Sequence, residues 1–116
     1  MLYDRAHLAG FTEGDLDLEH ALLSAFCANA RDYLDILMRA PAGQEWTDQA
    51  HKLKGAANSV GVWSVARWCA LAEDEPEKFI NADQRQKLAD HILDVIARLE
   101  NAISGSAPLA PPQHMR

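Results

Sequence analysis

The sequence predicts an all-α fold, an antiparallel up-down four-helix bundle preceded by a short extra N-terminal helix. Four segments carry apolar residues three and four positions apart, which is the period of amphipathic helices. Proline, glycine or capping residues mark the segment boundaries, and no segment alternates in the way a strand does. With 116 residues, 48% of them hydrophobic, the chain is long enough for one core. Short connections between amphipathic helices favour antiparallel neighbours.

The first bundle helix is predicted from about Asp15 to Ala40, and Pro41 ends it because the residue before a proline disfavours helical geometry. A second apolar edge beside its main stripe is expected to widen the contact with neighbouring helices. This second edge comprises Leu18, Ala25 and Ile36. The main stripe comprises Leu23, Phe26, Ala30, Tyr33, Leu34 and Leu37.

A short helix is predicted over residues 4–9, with Gly10 ending it. We expect Leu8 and Phe11 to cover one end of the bundle. The alternative for Phe11 is a place on a partner-docking surface.

The other bundle helices are predicted over residues 45–59, 62–74 and 81–103. Asn81 and Gln84 form a capping box at the start of the last one. The predicted domain therefore spans residues 1–104. The tail 105–116 is rich in proline, serine and alanine without periodicity, so we predict disorder there.

The second bundle helix carries a histidine on the side that should face water. At about 100° per residue, its apolar residues fall within an arc of roughly 80°, and His51 lies opposite the centre of that arc. An exposed imidazole is mostly neutral near pH 7, so one ring nitrogen has a free lone pair that can attack an activated phosphoryl group. The apolar arc comprises Trp46, Ala50, Leu53, Ala57 and Val60.

Four residues around His51 share or flank its face. Gly55 lies one turn on, and a glycine in a helix interior costs about 1 kcal/mol relative to alanine. It leaves open space through which another surface can approach the imidazole. Asn58 shares the same face, and Lys52 and Lys54 flank it with cations that can hold phosphate oxygens.

Residues 51–61, HKLKGAANSVG, resemble the H-x-L-K-G-x-x-x-x-hydrophobic-G signature of histidine-containing phosphotransfer (HPt) domains. Ala66, Cys69 and the pair Ala72-Glu73 sit where that family has its next helix. The segment from Leu8 to Phe26 is similar to the start of small stand-alone bacterial members. The resemblance covers most of residues 4–103, and its one departure is Ala72, where a larger aliphatic residue is usual.

This resemblance implies that His51 accepts a phosphoryl group from a receiver-domain aspartate and passes it to another in a multistep two-component phosphorelay. The implied partners are response-regulator receiver domains and hybrid sensor histidine kinases, and the reacting nitrogen is Nε2. No cofactor is expected, because the receiver would supply Mg²⁺. The chain would be a phosphoprotein intermediate in signal transduction and not a stand-alone enzyme, since no kinase ATP site follows in 116 residues.

The composition weighs against several other classes. A net charge of −6 is a poor match for nucleic-acid binding, and no apolar run approaches a membrane span. There is no Glu-x-x-His pair, H-E-x-x-H helix or glycine-rich phosphate loop, so we expect no metal site or hydrolase. Cys27 and Cys69 are expected to be buried reduced thiols of a cytoplasmic monomer. The alternative function is a helical module that docks on a receiver or kinase without accepting phosphate.

Overall fold

A computed structural model describes residues 1–106 as five α-helices and one short 3-10 helix, with no strand among these residues. The predicted all-α bundle with its extra N-terminal helix is confirmed. None of the helices within this described part is long and apolar enough to cross a membrane. The elements are α1 (Arg5–Thr12), α2 (Leu16–Arg39), α3 (Gln44–Ser59), α4 (Trp63–Asp74), the 3-10 helix Pro76–Phe79 and α5 (Ala82–Ser106).

The four long helices enclose one core. Helix α3 packs against both α2 and α4, and α5 closes the bundle against the same two helices. All five residues of the predicted arc of α3 are buried, and α4 buries Val65, Ala66, Cys69 and Ala72. The predicted boundaries of α2 and α3 are correct to within one residue.

Two side chains fasten the end of the bundle where α2 stops and α5 starts. The Trp46 indole nitrogen donates to the Ala72 carbonyl at 2.8 Å. The Arg85 guanidinium lies 4.3 Å from the centre of the Trp46 ring and donates to the Ala40 carbonyl at 2.8 Å. Arg85 therefore satisfies a carbonyl that the end of α2 leaves without a helical partner.

Three predictions for the N-terminal third are wrong. Gly10 does not end α1; it lies inside the helix, which ends where Glu13 adopts a φ of 53° and Gly14 one of 84°. Leu8 is buried as expected, but Phe11 is 64% exposed and covers no end of the bundle. The second edge of α2 faces solvent, with Leu18 42% and Ile36 48% exposed. Ala25 is exposed as well, so the second edge does not widen the buried face of α2.

The N-terminal segment is held by a group of polar contacts that we call the N-terminal clasp: Tyr3, Asp4, Arg5, Glu19 and Gly61. Glu19 is only 2% exposed, and it accepts from the Tyr3 hydroxyl at 2.5 Å and from Arg5 Nε at 3.1 Å. The Asp4 amide donates to the Gly61 carbonyl at 2.9 Å. The clasp thereby ties the start of the chain to α2 and to the turn between α3 and α4.

Helix α5 continues through Gly105 and Ser106, two residues past the predicted end of the domain. The Asn81 side chain accepts from the Gln84 amide at 2.9 Å, which is the predicted cap. The rest of the predicted tail, 107–116, lies outside the described residues.

Candidate functional site

Helix α3 presents His51 to solvent because its opposite face is buried. The His51 side chain is 66% exposed, whereas Ala50 and Leu53 beside it are fully buried. The core contacts of α3 therefore fix the direction in which the ring points.

A carboxylate from the neighbouring helix joins His51 to a lysine. His51 Nδ1 lies 2.9 Å from Glu73 Oε2, and Lys54 Nζ lies 2.5 Å from Glu73 Oε1. Glu73 is near the end of α4, so the group spans the seam between α3 and α4. We call these three residues, together with Gly55, the His51 site.

Charge pairing keeps Glu73 ionised. The ion pair with Lys54 is the largest influence, and it lowers the pKa of Glu73 while raising the pKa of Lys54. An ionised carboxylate only accepts hydrogen bonds, so the ring nitrogen that faces it carries the proton. Nδ1 is then the donor, and the lone pair of His51 is on Nε2, the nitrogen that does not face Glu73.

The two lysines differ in a way that the sequence did not predict. Lys54 is not a mobile cation: its side chain is 26% exposed and is paired with Glu73. Lys52 is exposed on the α2 side of His51, and it forms no ion pair within residues 1–106. Of the two predicted phosphate-supporting lysines, only Lys52 is free of a carboxylate partner in this part of the chain.

Gly55 and Asn58 are both exposed and lie on the His51 side of α3, as predicted. A Cβ atom built on Gly55 meets no atom within 4 Å. The space beside His51 is therefore open, and no packing in the described chain requires a glycine there.

A family model for the Hpt domain matches residues 21–107 of the chain. The chain belongs to the Hpt domain family. The match begins within α2 and continues through α5. It therefore includes the whole His51 site, while α1 and most of the N-terminal clasp precede it. Searches of curated proteins and of solved structures found no match.

Membership places the protein in histidine phosphotransfer and two-component signalling, where Hpt domains interact with receiver domains and kinases. The four predicted site residues of α3, together with His51, lie within one surface region of this Hpt domain, as the spacing of an α-helix requires.

Both cysteines are buried and free, as the sequence predicted. Burial raises the pKa of the Cys69 thiol to about 12 and that of Cys27 to about 11. Neither thiol is therefore an ionised nucleophile near pH 7. No group of three potential metal-ligating side chains occurs among the described residues.

The residue of the His51 site that sequence reasoning missed is Glu73. A signal for it existed in the hairpin geometry. If α3 and α4 are antiparallel about a turn centred on Val62, a residue eleven positions before the turn faces one eleven positions after it. His51 and Glu73 are that pair, but the turn centre had to be known to within a residue.

Proposed function

We propose that this Hpt-domain protein relays a phosphoryl group between receiver-domain aspartates through a phosphohistidine at His51 Nε2. The observation that supports the proposal most strongly is the hydrogen bond between His51 Nδ1 and Glu73 Oε2 at 2.9 Å. It holds the nucleophile in one tautomer on an exposed helix face, next to a position with no side chain.

The forward step is attack of the Nε2 lone pair on the phosphorus of an aspartyl phosphate. The N–P bond forms, the O–P bond breaks, and the aspartate carboxylate leaves with the electron pair. The ring still carries its Nδ1 proton, so it becomes a phosphorylated imidazolium. Glu73 lies against that proton and stabilises the positive charge that develops.

The same contact favours the return step. A phosphorylated ring that keeps its Nδ1 proton is a better leaving group than a neutral one. By holding that proton, Glu73 keeps the phosphoryl group transferable to a second receiver. Lys54 binds the other oxygen of the Glu73 carboxylate and restrains its orientation. It therefore acts as a positioning residue in the free protein.

The receiver domain would supply Mg²⁺ and most of the transition-state stabilisation. The chain's own contribution is the position of the imidazole. Lys52, Gly55 and Asn58 form the surface onto which the receiver docks, with Gly55 giving access and Lys52 a cation for the receiver's acidic pocket.

The exposed Phe11 side chain near the end of α3 extends this docking surface. Phe11 lines an open groove of about 270 Å³ together with Leu8, Leu22, Ser59 and Val60. Ser59 is exposed and lies eight residues after His51, or about 12 Å along the helix. A standard interface of about 800 Å² per partner, centred on His51, has a radius of about 16 Å and reaches Ser59 at the edge of the groove. This supports the alternative for Phe11 that the sequence left open, a place on a partner-docking surface.

The decisive experiment replaces His51 with glutamine and incubates the variant with Mg²⁺ and a receiver domain whose aspartyl phosphate carries the radiolabel. We expect acid-labile label on the wild type and none on His51→Gln. Folding should be retained, because an exposed substitution of this kind changes stability by about 0.5 kcal/mol or less. His20→Gln is the matched control, since His20 lies on α2 outside the site.

Retention of acid-labile label by His51→Gln would overturn the assignment. A wild type that binds the receiver but takes up no label would instead support the alternative, a docking module without phosphotransfer. The two free, buried thiols agree with action in the reducing cytoplasm, where we expect the relay to operate.

A further inference from the structure

The outer face of α4 carries a partly exposed stripe that lies outside the His51 site. Its residues follow helical spacing and fall within an arc of about 120°, centred on Leu71. They border an open depression of about 360 Å³ on the protein surface. We call this stripe the α4 face: Arg67, Trp68, Leu71, Asp74 and Glu75.

The α4 face is separate from the phosphotransfer site. Glu73 is two residues from Leu71, which places it about 160° away around the helix axis. A receiver docked on His51 along α3 therefore leaves the α4 face uncovered.

The apolar part of the face is Trp68 with Leu71. Both are partly exposed and pack their inner sides on the core. The Trp68 ring lies against His91 of α5, with 4.9 Å between ring centres, so its orientation is fixed. A rigid, partly exposed tryptophan is the type of side chain that anchors protein interfaces.

The charges of the face are divided along the helix. Arg67 stands at one end, and Asp74 and Glu75 stand at the other, about 10 Å away along the axis. Neither Arg67 nor Asp74 forms an ion pair within residues 1–106, and Glu75 pairs only with Lys78, three residues on, at 3.0 Å.

This arrangement is complementary to itself. If a second copy of α4 lies antiparallel to the first, about a two-fold axis near Leu71, each Arg67 meets the acidic end of the other helix. The apolar middles then meet at the axis. An interface of this kind has an apolar centre and a charged rim, and the same residues on both sides.

We propose that two copies of this chain associate through their α4 faces, antiparallel about a two-fold axis. Helix α4 has 12 residues and is therefore about 18 Å long, which is short for an interface of standard size. The association is accordingly weak and concentration-dependent, and the monomer expected from the sequence is the form at low concentration. Both His51 side chains stay accessible in the pair.

Sedimentation equilibrium from micromolar to millimolar protein tests the proposal through reciprocal charge reversal. We expect the weight-average mass of the wild type to rise towards that of a dimer. Arg67→Glu alone and the double variant Asp74→Lys/Glu75→Lys alone should each associate at least tenfold more weakly, because like charges then meet at both ends. Lys87→Glu is the matched control: it changes the net charge as much as Arg67→Glu does, on an exposed position of α5, and should associate as the wild type does.

Mixing the two charge-reversed variants should restore the association to within about threefold of the wild type. In the mixed pair, opposite charges face each other at both ends of the antiparallel helices. Any of three results would overturn the proposal: a wild type that stays monomeric at every concentration, a mixture of the two variants that fails to associate, or either variant associating normally on its own.

The proposal does not rest on the phosphotransfer function. Arg67→Glu should accept phosphate at the wild-type rate, since Arg67 lies outside the His51 site. A wild type that takes up no label on His51 would count against the proposed function and leave the sedimentation result unchanged.

Discussion

Two glutamates in this protein each hold two proton donors, and they serve different purposes. Glu73, whose side chain is 20% exposed, bridges His51 and Lys54 across the seam of α3 and α4. Glu19, 2% exposed, bridges Tyr3 and Arg5 and holds the N-terminal segment on α2. The local pattern is nearly the same, so the pattern alone does not reveal which group takes part in chemistry.

The partners and their exposure make the difference. A guanidinium group does not lose its proton in proteins, and the pKa of Tyr3 is raised to about 12, first by burial and then by its hydrogen bond to Glu19. Neither donor of the N-terminal clasp can change state near pH 7. At Glu73 one donor is an imidazole with a second, exposed nitrogen, so under the proposed function the carboxylate orients the nucleophile.

Each region also contains one glycine, for opposite reasons. Gly61, in the clasp, has a φ of 75°, and a Cβ there would lie 3.1–3.2 Å from atoms of Asp4. Gly55, in the His51 site, has helical geometry and open space around it. The first glycine is required by the fold, whereas we infer that the second serves access.

The largest predicted effect follows removal of the Glu73 carboxylate. Glu73→Ala should slow transfer from a phosphorylated receiver about 10- to 100-fold, the usual range when a carboxylate that orients a histidine is lost. Glu73→Gln, whose amide oxygen can still accept from Nδ1, should lose less. Single-turnover transfer measured by rapid quench gives these rates. Stability should change by no more than about 1 kcal/mol, because the ion pair lies near the surface. If Glu73→Ala accepted phosphate at the wild-type rate, the contact between Glu73 and His51 would not be what orients the ring.

Removal of the Glu19 carboxylate in the N-terminal clasp should lower stability and leave the transfer rate nearly unchanged, the reverse of the effect at Glu73. Glu19→Ala should lower the free energy of unfolding by about 2 kcal/mol, since hydrogen bonds to a charged group contribute about 1.5–3 kcal/mol. The transfer rate should stay within about twofold of the wild type. Urea denaturation measures the first quantity, and Asp17→Ala, on an exposed acidic position in the first turn of the same helix, is the control. An unchanged urea midpoint together with unchanged hydrogen exchange in α1 would mean that the clasp contributes no stability.

The sequence was sufficient for elements that depend on periodicity and caps. The buried arc of α3 and the boundaries of α2 follow from apolar spacing and the break at Pro41. It failed where an apolar residue stays exposed, as at Phe11 and Ile36, because periodicity identifies an apolar face but not whether another helix covers it. It also failed at Lys54 and Glu73, whose pairing depends on how two helices are aligned. The exposed direction of His51 was predictable because the core lies opposite it on the same helix.

Substitutions at the two glycines, Gly55 and Gly61, should change stability or transfer rate by intermediate amounts. Gly55→Ala should be neutral or stabilising by up to about 1 kcal/mol. Gly55→Leu should fold normally but slow transfer about tenfold or more, because the side chain enters the space beside His51. Gly61→Ala should cost about 1–2 kcal/mol, the penalty for a left-handed residue, with transfer retained. Thermal melts and the same transfer assay separate the two classes. If Gly55→Leu transferred at the wild-type rate, the open space would have no function.

The smallest effect concerns Tyr3, and it is visible only in alkali. The chain has two tyrosines, so in a Tyr33→Phe variant the phenolate absorbance reports Tyr3 alone. Half-ionisation should occur near pH 12, compared with 10.0 in the unfolded chain.

Because the folded protein raises the pKa of Tyr3, this residue stabilises the folded state fully below pH 10. That contribution to the free energy of unfolding is lost as the pH rises towards 12. The stability difference between Tyr33→Phe and the double variant Tyr3→Phe/Tyr33→Phe should therefore be constant below pH 10 and shrink above it. Burial is the largest single cause of the raised pKa, ahead of the hydrogen bond to Glu19, so adding Glu19→Gln should lower the midpoint only part of the way to 10.0. A full return to 10.0 would show that the carboxylate, and not burial, dominates at the clasp, as it does at Lys54 in the His51 site.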